Sequence, residues 1–411
     1  MAIIVQKFGG TSIADADKIR QAAGRAIKAV ENGLSVVVVA SARGKQTDEF
    51  ITDAKELHPN PPAREMDQLF STGEQQSIAL LAMALINAGC DAISFTGSQV
   101  KIMTDGIYSK ARIKSIDTTR IRKQLEQGKV VLVAGFQGID EDENIVTLGR
   151  GGSDTTAVAL AAALDAQECQ IYTDVDGIYT TDPRIFKNAA KMKQISFDEM
   201  LELASLGSGV MYVRAIEVGK NHNVKIHVRS SSEETEGTII TPEESQMEEV
   251  MVSGATVQKD IAMITLTGIE NEPGSIANVF AQLAKAKVAV SGITKTEISA
   301  EEANLSFTVG VLELNTAKET LEQIKDEVSY ENITIDEDVA GVSVVGVGMR
   351  THYEVAEKMF ASLAEAKINI HSIVSSQISI SCVVDETDAD KALQAVCTAF
   401  ELDKLAEQRS N

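Results

Sequence analysis

The sequence predicts an α/β fold from residue 1 to about residue 240, followed by a duplicated smaller module. Short runs rich in β-branched residues alternate there with segments whose apolar residues recur at helical spacing, as in a sheet covered by helices. The runs are almost continuously apolar, which favours buried parallel strands. We predict strands at 36–39, 130–133, 170–172 and 224–228, and helices at 74–88 and 155–166.

Length and composition limit the classes of protein to consider. The 411 residues suffice for two or three domains, and 44% hydrophobic with 24% charged residues is ordinary for a globular chain. A net charge of −22 disfavours nucleic acid and anionic membranes, which both require basic patches. No apolar run has membrane-spanning length and no signal peptide is evident, so we expect a cytoplasmic protein. The scattered cysteines and histidines suggest no metal site.

The first motif is a glycine turn directly after the first predicted strand. Lys7 precedes Gly9 and Gly10, and a segment with helical spacing begins at residue 15. Glycines let backbone amides approach a ligand, and the start of a helix adds unpaired N–H groups. Lys7 would add a mobile positive charge. The motif therefore suits an anionic group such as a phosphate, and an ordinary tight turn is the alternative interpretation.

Two further segments follow along the chain. After the strand at 36–39, small residues lead to Arg43 and Lys45, which form either a ligand loop or a solvated basic turn. This Gly-Lys pair lacks the earlier glycine of a nucleotide-binding P-loop. Residues 71–73 precede a helix that we expect to open with Glu74. At that position the carboxylate would either cap the helix or bind a ligand.

The densest signal is the glycine-rich stretch at 147–156. Gly149, Gly151 and Gly152 surround Arg150, and Asp154 stands among hydroxyl residues ahead of an alanine-rich helix. A guanidinium presented by a glycine loop at a helix start suits a carboxylate or a phosphate. A capped helix after a flexible loop would explain the polar residues but not the arginine among glycines.

The stretch 171–184 follows another apolar run and ends in Arg184. It offers carboxylates, hydroxyl groups, aromatic rings and a guanidinium, which together suit the ribose, base and phosphates of a nucleotide. Its likeness to an EF-hand is one of composition only, because the glycine spacing and the terminal glutamate do not fit. As simple turn chemistry, its Asp-Gly and Asp-Pro pairs would be unremarkable.

A shift to acidic, polar composition at 231–250 marks the best domain boundary. Beyond it, residues 280–293 match residues 360–373 at seven of fourteen positions, and the preceding runs 264–268 and 342–346 also align. We infer two copies of one small β-α-β unit. Compact modules attached to an α/β domain suit a ligand sensor, and structural padding is the alternative.

Together, KFGGTS at 7–12, STGE at 71–74, VAGFQG at 133–138, TLGRGGSDTTA at 147–157 and YTDVDGIYTTDPR at 172–184 resemble the aspartokinases, over nearly the whole chain. The resemblance implies an amino-acid-kinase-like three-layer α/β sandwich with a mainly parallel central sheet, followed by two ferredoxin-like (βαββαβ) ACT domains. The implied boundaries are 1–245 for the catalytic domain, and 246–338 and 339–411 for the ACT domains. The implied reaction is transfer of the γ-phosphoryl group of ATP, bound with Mg²⁺, to the β-carboxylate of L-aspartate. It is the first step toward lysine, threonine and methionine.

The same resemblance implies a role for each motif residue. The catalytic pair is Lys7 and Asp154. The ATP-binding residues are Lys7, Gly9, Gly10, Thr173, Asp174, Tyr179 and Arg184. The aspartate-binding residues are Ser41, Thr47, Glu74, Arg150, Gly151 and Ser153, with Arg150 on a carboxylate and Glu74 on the ammonium group. The residues implied for a feedback amino acid, lysine or threonine or both, are Asn271, Pro273, Gly274, Ser275 and Asn369.

Several points stay open at this stage. The chain has Gly209 where relatives often have a lysine, and the second ACT copy lacks the Pro-Gly of the first, so we expect one effector site per chain. We expect a homodimer through the ACT domains, or a heterotetramer with a short regulatory subunit that begins near Met251. The alternatives are another amino-acid kinase, acting on glutamate or acetylglutamate, and a catalytically inactive amino-acid sensor.

Overall fold

The computed structural model describes residues 2–242, 251–350 and 352–405, and the chain folds into two compact units. The first unit contains residues 1–178, 191–204 and 209–245, and the second contains residues 179–190, 205–208 and 246–411. The second unit therefore takes in two short segments that precede the predicted catalytic-domain boundary. That boundary, at residue 245, lies outside the described residues and stays a prediction.

The first unit alternates short strands with helices, as predicted. Its described strands are β1 (Ile3–Phe8), β2 (Ser35–Ala40), β3 (Ala92–Phe95), β4 (Ile102–Thr104), β5 (Ile113–Ile116), β6 (Val130–Ala134), β7 (Gln137–Ile139), β8 (Ile145–Thr147), β9 (Glu168–Thr173), β10 (Gln194–Ser196), β11 (Ile226–Ser230) and β12 (Thr238–Thr241). Its described helices are α1 (Ala16–Glu31), α2 (Gln46–Leu57), α3 (Ala63–Asn87), α4 (Thr119–Leu125), α5 (Gly152–Leu164), α6 (Phe197–Ser205) and α7 (Val213–His222).

The main sheet of this unit has the strand order β10-β12-β11-β9-β1-β2-β6-β3, and neighbouring strands run parallel except β11 and β12. The four predicted strands are confirmed as β2, β6, β9 and β11. Because β9, β1, β2 and β6 are parallel neighbours, their carboxyl ends meet at one edge of the sheet, where ligands bind in such folds. A smaller sheet has the order β5-β4-β7-β8.

One helix prediction is wrong at its start. The helix expected at 74–88 begins at Ala63, directly after Pro62, and continues to Asn87. Proline is well suited to the start of a helix because it lacks an N–H group and has a fixed φ angle. The apolar pattern does not predict the first half of α3, because the buried side of this part of the helix is polar and includes Asp67, Ser71 and Glu74. The helix expected at 155–166 is α5, which begins a few residues earlier.

The second unit carries the duplicated modules. Its described strands are β13 (Gly254–Glu270), β14 (Val290–Glu297), β15 (Glu302–Gly310), β16 (Asn332–Val345), β17 (Ser372–Ser375) and β18 (Ser379–Asp385). Its described helices are α8 (Ser275–Lys285), α9 (Leu314–Gln323), α10 (Lys325–Val328), α11 (Glu354–Glu365) and α12 (Ala389–Ala399). All six strands form one sheet, in the order β14-β15-β13-β16-β18-β17.

The two modules share the long central strands β13 and β16. Residues 262–269 of β13 pack in a core with α8 and α9, whereas Val252 and Ala255 pack in a second core with α11 and α12. The aligned repeat segments occupy equivalent places, since α8 leads to β14 and α11 leads to β17. The exact ACT boundary at residue 338 stays a prediction. Among the described helices, none combines the length and the apolar composition needed to cross a membrane.

Candidate active site

The loops that follow β1, β2, β6 and β9 contain many of the predicted site residues. The loops after β1, β2 and β9 carry Gly9 and Gly10, then Ser41, and then Asp174, and the loop after β6 carries Gly135 of the VAGFQG motif. The glycine-rich stretch reaches the same edge through α5, because the amide of Phe136, after β6, donates a hydrogen bond of 3.1 Å to the hydroxyl oxygen of Thr156. The fold thus brings together motifs that lie far apart in the sequence.

Lys7 and Asp154 form a buried ion pair at this edge. Lys7 Nζ lies 2.5 Å from Asp154 Oδ1, and the two side chains are only 10% and 9% exposed. Lys7 projects from the carboxyl end of β1, and Asp154 lies in the first turn of α5. A carboxylate is favoured there by the positive end of the helix dipole. The pair holds an ammonium group in place at the start of a helix.

The glycine turn after β1 packs tightly against the loop after β2. A Cβ atom on Gly10 would lie 2.5 Å from the carbonyl oxygen of Ala42, and the amide of Gly44 donates to the carbonyl oxygen of Gly10 at 2.9 Å. No larger residue fits this approach at position 10. The amide of Gly9 donates to the carbonyl oxygen of Tyr172 at 3.2 Å, which joins the turn to β9.

Glu74 reaches the same loop from the middle of α3. Its Oε1 atom accepts a hydrogen bond of 3.0 Å from the amide of Ala42, and its Oε2 atom has no hydrogen-bond partner among the described residues. Burial raises the pKa of this carboxyl group to about 8, against the opposing effect of the Ala42 amide. The interpretation of Glu74 as a helix cap is therefore wrong, because α3 begins eleven residues earlier.

Gly73 explains how α3 can approach so closely. A Cβ atom on Gly73 would lie 2.7 Å from the Cβ of Ala42, so glycine is required inside this helix. Ser71 and Thr72 donate their hydroxyl hydrogens to carbonyl oxygens three residues earlier in α3, at 2.8 Å each. The STGE motif therefore marks a contact between a helix and a loop, and not the start of a helix.

The glycine-rich loop 149–152 is held by residues that the sequence did not single out. Asp67, fully buried in α3, accepts four hydrogen bonds of 2.7–2.9 Å from the amides and hydroxyl groups of Ser109 and Thr147. The guanidinium group of Arg214 donates to the carbonyl oxygens of Leu148 and Ala111. Neither side chain belongs to a glycine-rich motif, and their partners are distant in sequence.

The residues of this loop and the start of α5 differ in backbone conformation and in exposure. Gly149 and Gly151 have φ angles of 78° and 66°, and a Cβ atom on Gly151 would overlap the ring of Tyr212. Arg150 is exposed, with no carboxylate at ion-pair distance among the described residues. Ser153 is 7% exposed, and a Cβ atom on Gly135 would lie 2.7 Å from its Oγ atom. Glycine at 135, in the VAGFQG motif, thus leaves room for this hydroxyl group.

The predicted ATP residues fall into two groups. Thr173 ends β9 and its hydroxyl lies 3.1 Å from the carboxylate of Asp174, and both residues belong to the first unit. Tyr179 and Arg184 belong to the 179–190 segment of the second unit. The guanidinium of Arg184 donates hydrogen bonds through Nε and Nη2 to the carboxylate of Asp182. The structure therefore does not place the four residues in a single unit.

The predicted effector residues lie in the second unit. Gly274, with a φ angle of 115°, is the N-cap of α8, which begins at Ser275. Asn271 accepts a hydrogen bond of 2.5 Å from Lys295 and donates to the carbonyl oxygens of Ser299 and Ala300. Asn369 is exposed after α11. Part of the corresponding loop of the second module, at residue 351, lies outside the described residues.

Comparison with known proteins defines the class of this protein. Residues 2–230 match the family model described as Amino acid kinase family, and residues 342–400 match a model described as ACT domain. The chain is therefore an ATP-dependent kinase of this family that also carries an ACT domain.

Similar proteins narrow the class. The chain is 48% identical to an aspartokinase of Bacillus sp. (strain MGA3) over 98% of both chains. It is also 48% identical to aspartokinase 2 of Bacillus subtilis (strain 168), over 98% of this chain and 99% of that one. Its fold matches aspartokinase III of E. coli, solved with aspartate and ADP, with a TM-score of 0.83 over 97% and 99% of the two chains at 23% identity. The chain belongs to the aspartokinases of the amino acid kinase family, which confirms the resemblance drawn from its motifs.

Proposed function

We propose that the edge of the sheet around Lys7 and Asp154 transfers the γ-phosphoryl group of MgATP to the β-carboxylate of L-aspartate. The observation that supports this most strongly is the buried ion pair, in which Asp154 fixes the Lys7 ammonium at 2.5 Å beside a glycine turn. An ammonium group held this way can neutralise charge on a phosphoryl group without reorganising during the reaction.

The proposed chemistry needs no general base. The β-carboxylate of aspartate is ionised at neutral pH, so its oxygen attacks the γ-phosphorus directly. The bond from the γ-phosphorus to the bridging oxygen of ADP breaks, and the products are 4-phospho-L-aspartate and ADP. Because no proton moves, positioning and neutralisation of charge carry the rate. In this proposal Lys7, Gly9 and Gly10 face the transferring group, and Asp154 positions Lys7.

Aspartate is held in this proposal by groups of both charges. Arg150 takes a carboxylate, for which its exposed guanidinium is available, and Glu74 takes the ammonium group. The unpartnered Oε2 atom of Glu74 supports that role, because a buried acceptor without a donor is costly unless a ligand supplies one. The remaining proposed contacts to aspartate are Ser41, Thr47, Gly151 and Ser153.

The nucleotide enters as its magnesium complex, so the metal is part of the substrate. We assign ATP to Thr173, Asp174, Tyr179 and Arg184, in addition to Lys7 and the glycine turn. The use of ATP and a free amino acid is consistent with the cytoplasmic location expected from the sequence.

The effector site and the assembly extend the proposal. We assign a feedback amino acid, lysine or threonine or both, to the loop of Asn271, Pro273, Gly274 and Ser275, with Asn369 nearby. The left-handed Gly274 at the start of α8 supports a loop that a ligand can approach closely. We expect the ACT domains to form a homodimer, or a heterotetramer with a short subunit that begins near Met251.

The test is the initial rate of ADP formation with aspartate, glutamate or acetylglutamate as acceptor. We expect activity with aspartate, and a fall in kcat of roughly a hundredfold or more in Lys7→Met. Lys114→Met is the matched control, because Lys114 is 55% exposed and its ion-pair partner among the described residues is an exposed glutamate, Glu141. A preference for glutamate or acetylglutamate would reassign the acceptor. Absence of phosphoryl transfer at saturating MgATP and aspartate would favour an inactive sensor.

A further inference from the structure

A charged cavity of about 250 Å³ lies in the first unit, between β1, β9 and α1. Gln6 and Tyr172 line it from the strands, Arg25 lines it from α1, and Arg229 lines it from β11. Successive side chains of a strand point to opposite faces of the sheet, so Gln6 and Lys7 project to opposite sides. The cavity is therefore separated by the sheet from the Lys7–Asp154 pair.

The lining of this cavity is positively charged. Arg25, Lys28 and Arg229 contribute three cations, and Glu234 contributes one carboxylate. The whole chain carries a net charge of −22, so this concentration of positive charge runs against the average of the protein. Cations that line a concave site attract an anion from solution.

Glu234 pairs with two of the three cations of the cavity, but its carboxylate is largely exposed. Its two carboxylate oxygens accept hydrogen bonds of 3.0 and 3.1 Å from Lys28 Nζ, and Arg25 Nη1 lies 3.7 Å away. The Glu234 side chain is 67% exposed and lies on the segment that connects β11 to β12. Exposed ion pairs of this kind contribute little free energy, so a ligand can displace the carboxylate. Arg229 has no described carboxylate within ion-pair distance and lies 5.8 Å from the centre of the Tyr172 ring.

A buried acceptor at the floor of the cavity points to a second group on the ligand. Gln6 is 1% exposed, and its Nε2 atom donates to Gln170 Oε1 at 3.0 Å. That oxygen also accepts from the Tyr172 hydroxyl at 3.1 Å. Rotating the Gln6 amide would bring two oxygens together, so the orientation is fixed by the network. Gln6 Oε1 is left without a hydrogen-bond partner among the described residues, which favours a ligand that donates an O–H or N–H.

We propose that this cavity binds a small organic carboxylate that also carries a hydroxyl or amino group. Arg25, Lys28 and Arg229 receive the carboxylate oxygens, because planar guanidinium groups match carboxylates in geometry as well as in charge. Gln6 Oε1 accepts from the hydroxyl or amino group. The volume suits a molecule of the size of an amino acid or a hydroxy acid and is too small for a nucleotide. Binding releases Glu234 from Arg25 and Lys28.

The probes are L-malate and succinate, which are dicarboxylates with and without a hydroxyl group. Each is titrated calorimetrically into the full-length protein with saturating ADP and without L-aspartate, because L-aspartate itself carries the carboxylate and amino group of the proposed ligand. Binding at the candidate active site is recognised by its loss in Arg150→Gln, and binding in the cavity by its loss in Arg229→Gln. We expect malate to bind with a single site per chain in the first unit, and succinate to bind roughly fivefold more weakly because it leaves Gln6 Oε1 without a donor. Equal affinities for the two probes would remove the role of Gln6.

Charge variants provide the decisive comparison. Arg229→Gln is expected to weaken malate binding roughly tenfold or more, and Arg229→Lys to restore part of it. Glu234→Gln is expected to tighten malate binding several-fold, because it removes the internal competitor while preserving size. Lys114→Gln changes the net charge as Arg229→Gln does, but Lys114 is half-exposed on β5 of the smaller sheet and does not line the cavity, so this variant should have no effect. Thermal unfolding of each variant confirms that it is folded.

Three outcomes would overturn the proposal. The first is that malate at millimolar concentration binds neither the unmodified protein nor Glu234→Gln. The second is an affinity for malate that is unchanged in Arg229→Gln, and the third is one that is unchanged in Glu234→Gln. Inorganic phosphate that binds more tightly than malate, with the same dependence on Arg229, would replace a carboxylate by a phosphate as the ligand class.

Discussion

The carboxylate of Glu74 accepts a hydrogen bond of 3.0 Å from the amide of Ala42, and so joins the middle of α3 to the loop after β2. On its other side, the same loop touches the turn after β1, where a Cβ atom on Gly10 would lie 2.5 Å from the carbonyl oxygen of Ala42. The residues proposed for aspartate and those proposed for the phosphoryl group are therefore parts of one closely packed arrangement. A substitution among the residues proposed for aspartate is therefore expected to affect the position of those proposed for the phosphoryl group, and the reverse.

Glu74 gives the enzyme a predicted pH dependence for aspartate. Burial raises the pKa of this carboxyl group from 4.5 to about 8, so the group is mostly protonated at pH 7 in the absence of ligand. The ammonium group of aspartate requires the ionised form. Between pH 7 and 8.5 the ionised fraction rises roughly eightfold. We expect kcat/KM for aspartate to rise by a similar factor, with most of the change in KM, measured by initial rates at saturating MgATP.

The Glu74→Gln variant separates this effect from others. It should have a higher KM for aspartate and a flat pH profile over the same range. The stability of the unmodified protein should change with pH in the opposite direction to its kcat/KM. Because the pKa of Glu74 is raised in the folded state, ionising this group costs folding free energy, so the protein loses stability as pH rises from about 4.5 through about 8. Denaturant titrations should show a smaller decline in Glu74→Gln. An identical profile in both proteins would contradict the assignment.

Asp154 is predicted to act by holding Lys7. Asp154→Asn removes one charge of a buried pair, whose side chains are about one-tenth exposed, and leaves the Lys7 ammonium unpaired. We expect kcat to fall roughly a hundredfold, with a smaller change in KM for aspartate.

The stability of the same pair offers an independent measurement. Breaking a buried ion pair by removing one partner costs about 3–5 kcal/mol, whereas replacing both partners costs less. Lys7→Met combined with Asp154→Asn should therefore be more stable than Asp154→Asn alone, as measured by urea unfolding in a double-mutant cycle. Additive effects of the two substitutions would show that the pair is not coupled.

Asp67 is predicted to position the glycine-rich loop without contacting a substrate. Asp67→Asn keeps the size of the side chain but places an NH₂ group against donors that now reach a carboxylate. We expect a loss of about 2–4 kcal/mol in unfolding free energy and a higher KM for aspartate. Asp142→Asn, in an exposed turn, is the control and should change neither. A variant with normal KM would leave Asp67 with a purely structural role.

Sequence patterns predict only those elements and site residues whose environment is visible along the chain. β2 and β6 were found because their continuous valine runs can only be buried on both faces. The apolar pattern does not predict the start of α3, because Asp67, Ser71 and Glu74 replace the apolar stripe by which a helix is recognised. Asp67 itself carried no signal, since the donors that satisfy it come from Ser109 and Thr147, which are 42 and 80 residues away. The motif glycines were visible, but the close approach that requires Gly73 depends on tertiary contacts.

Gly151 provides a last prediction, because two separate constraints act on it. Its φ angle of 66° is left-handed, and a Cβ atom there would lie 2.1 Å from Cγ of Tyr212. Gly151→Ala should therefore displace the Tyr212 ring or the loop that carries Arg150. We expect lower stability and a KM for aspartate raised roughly tenfold, since the proposed carboxylate contact is misplaced.

Gly128→Ala is the matched control for this substitution. Gly128 has a φ angle of 78°, but a Cβ atom there would meet nothing within 4 Å. Left-handed strain alone costs about 1–2 kcal/mol, so Gly128→Ala should lose that much stability and keep a normal KM. Adding Tyr212→Ala to Gly151→Ala removes the overlap and should return the KM toward normal, while the loss from backbone strain persists. If the double substitution leaves the KM as high as Gly151→Ala alone, the Tyr212 ring is not what positions the loop, and the effect arises from the backbone at residue 151.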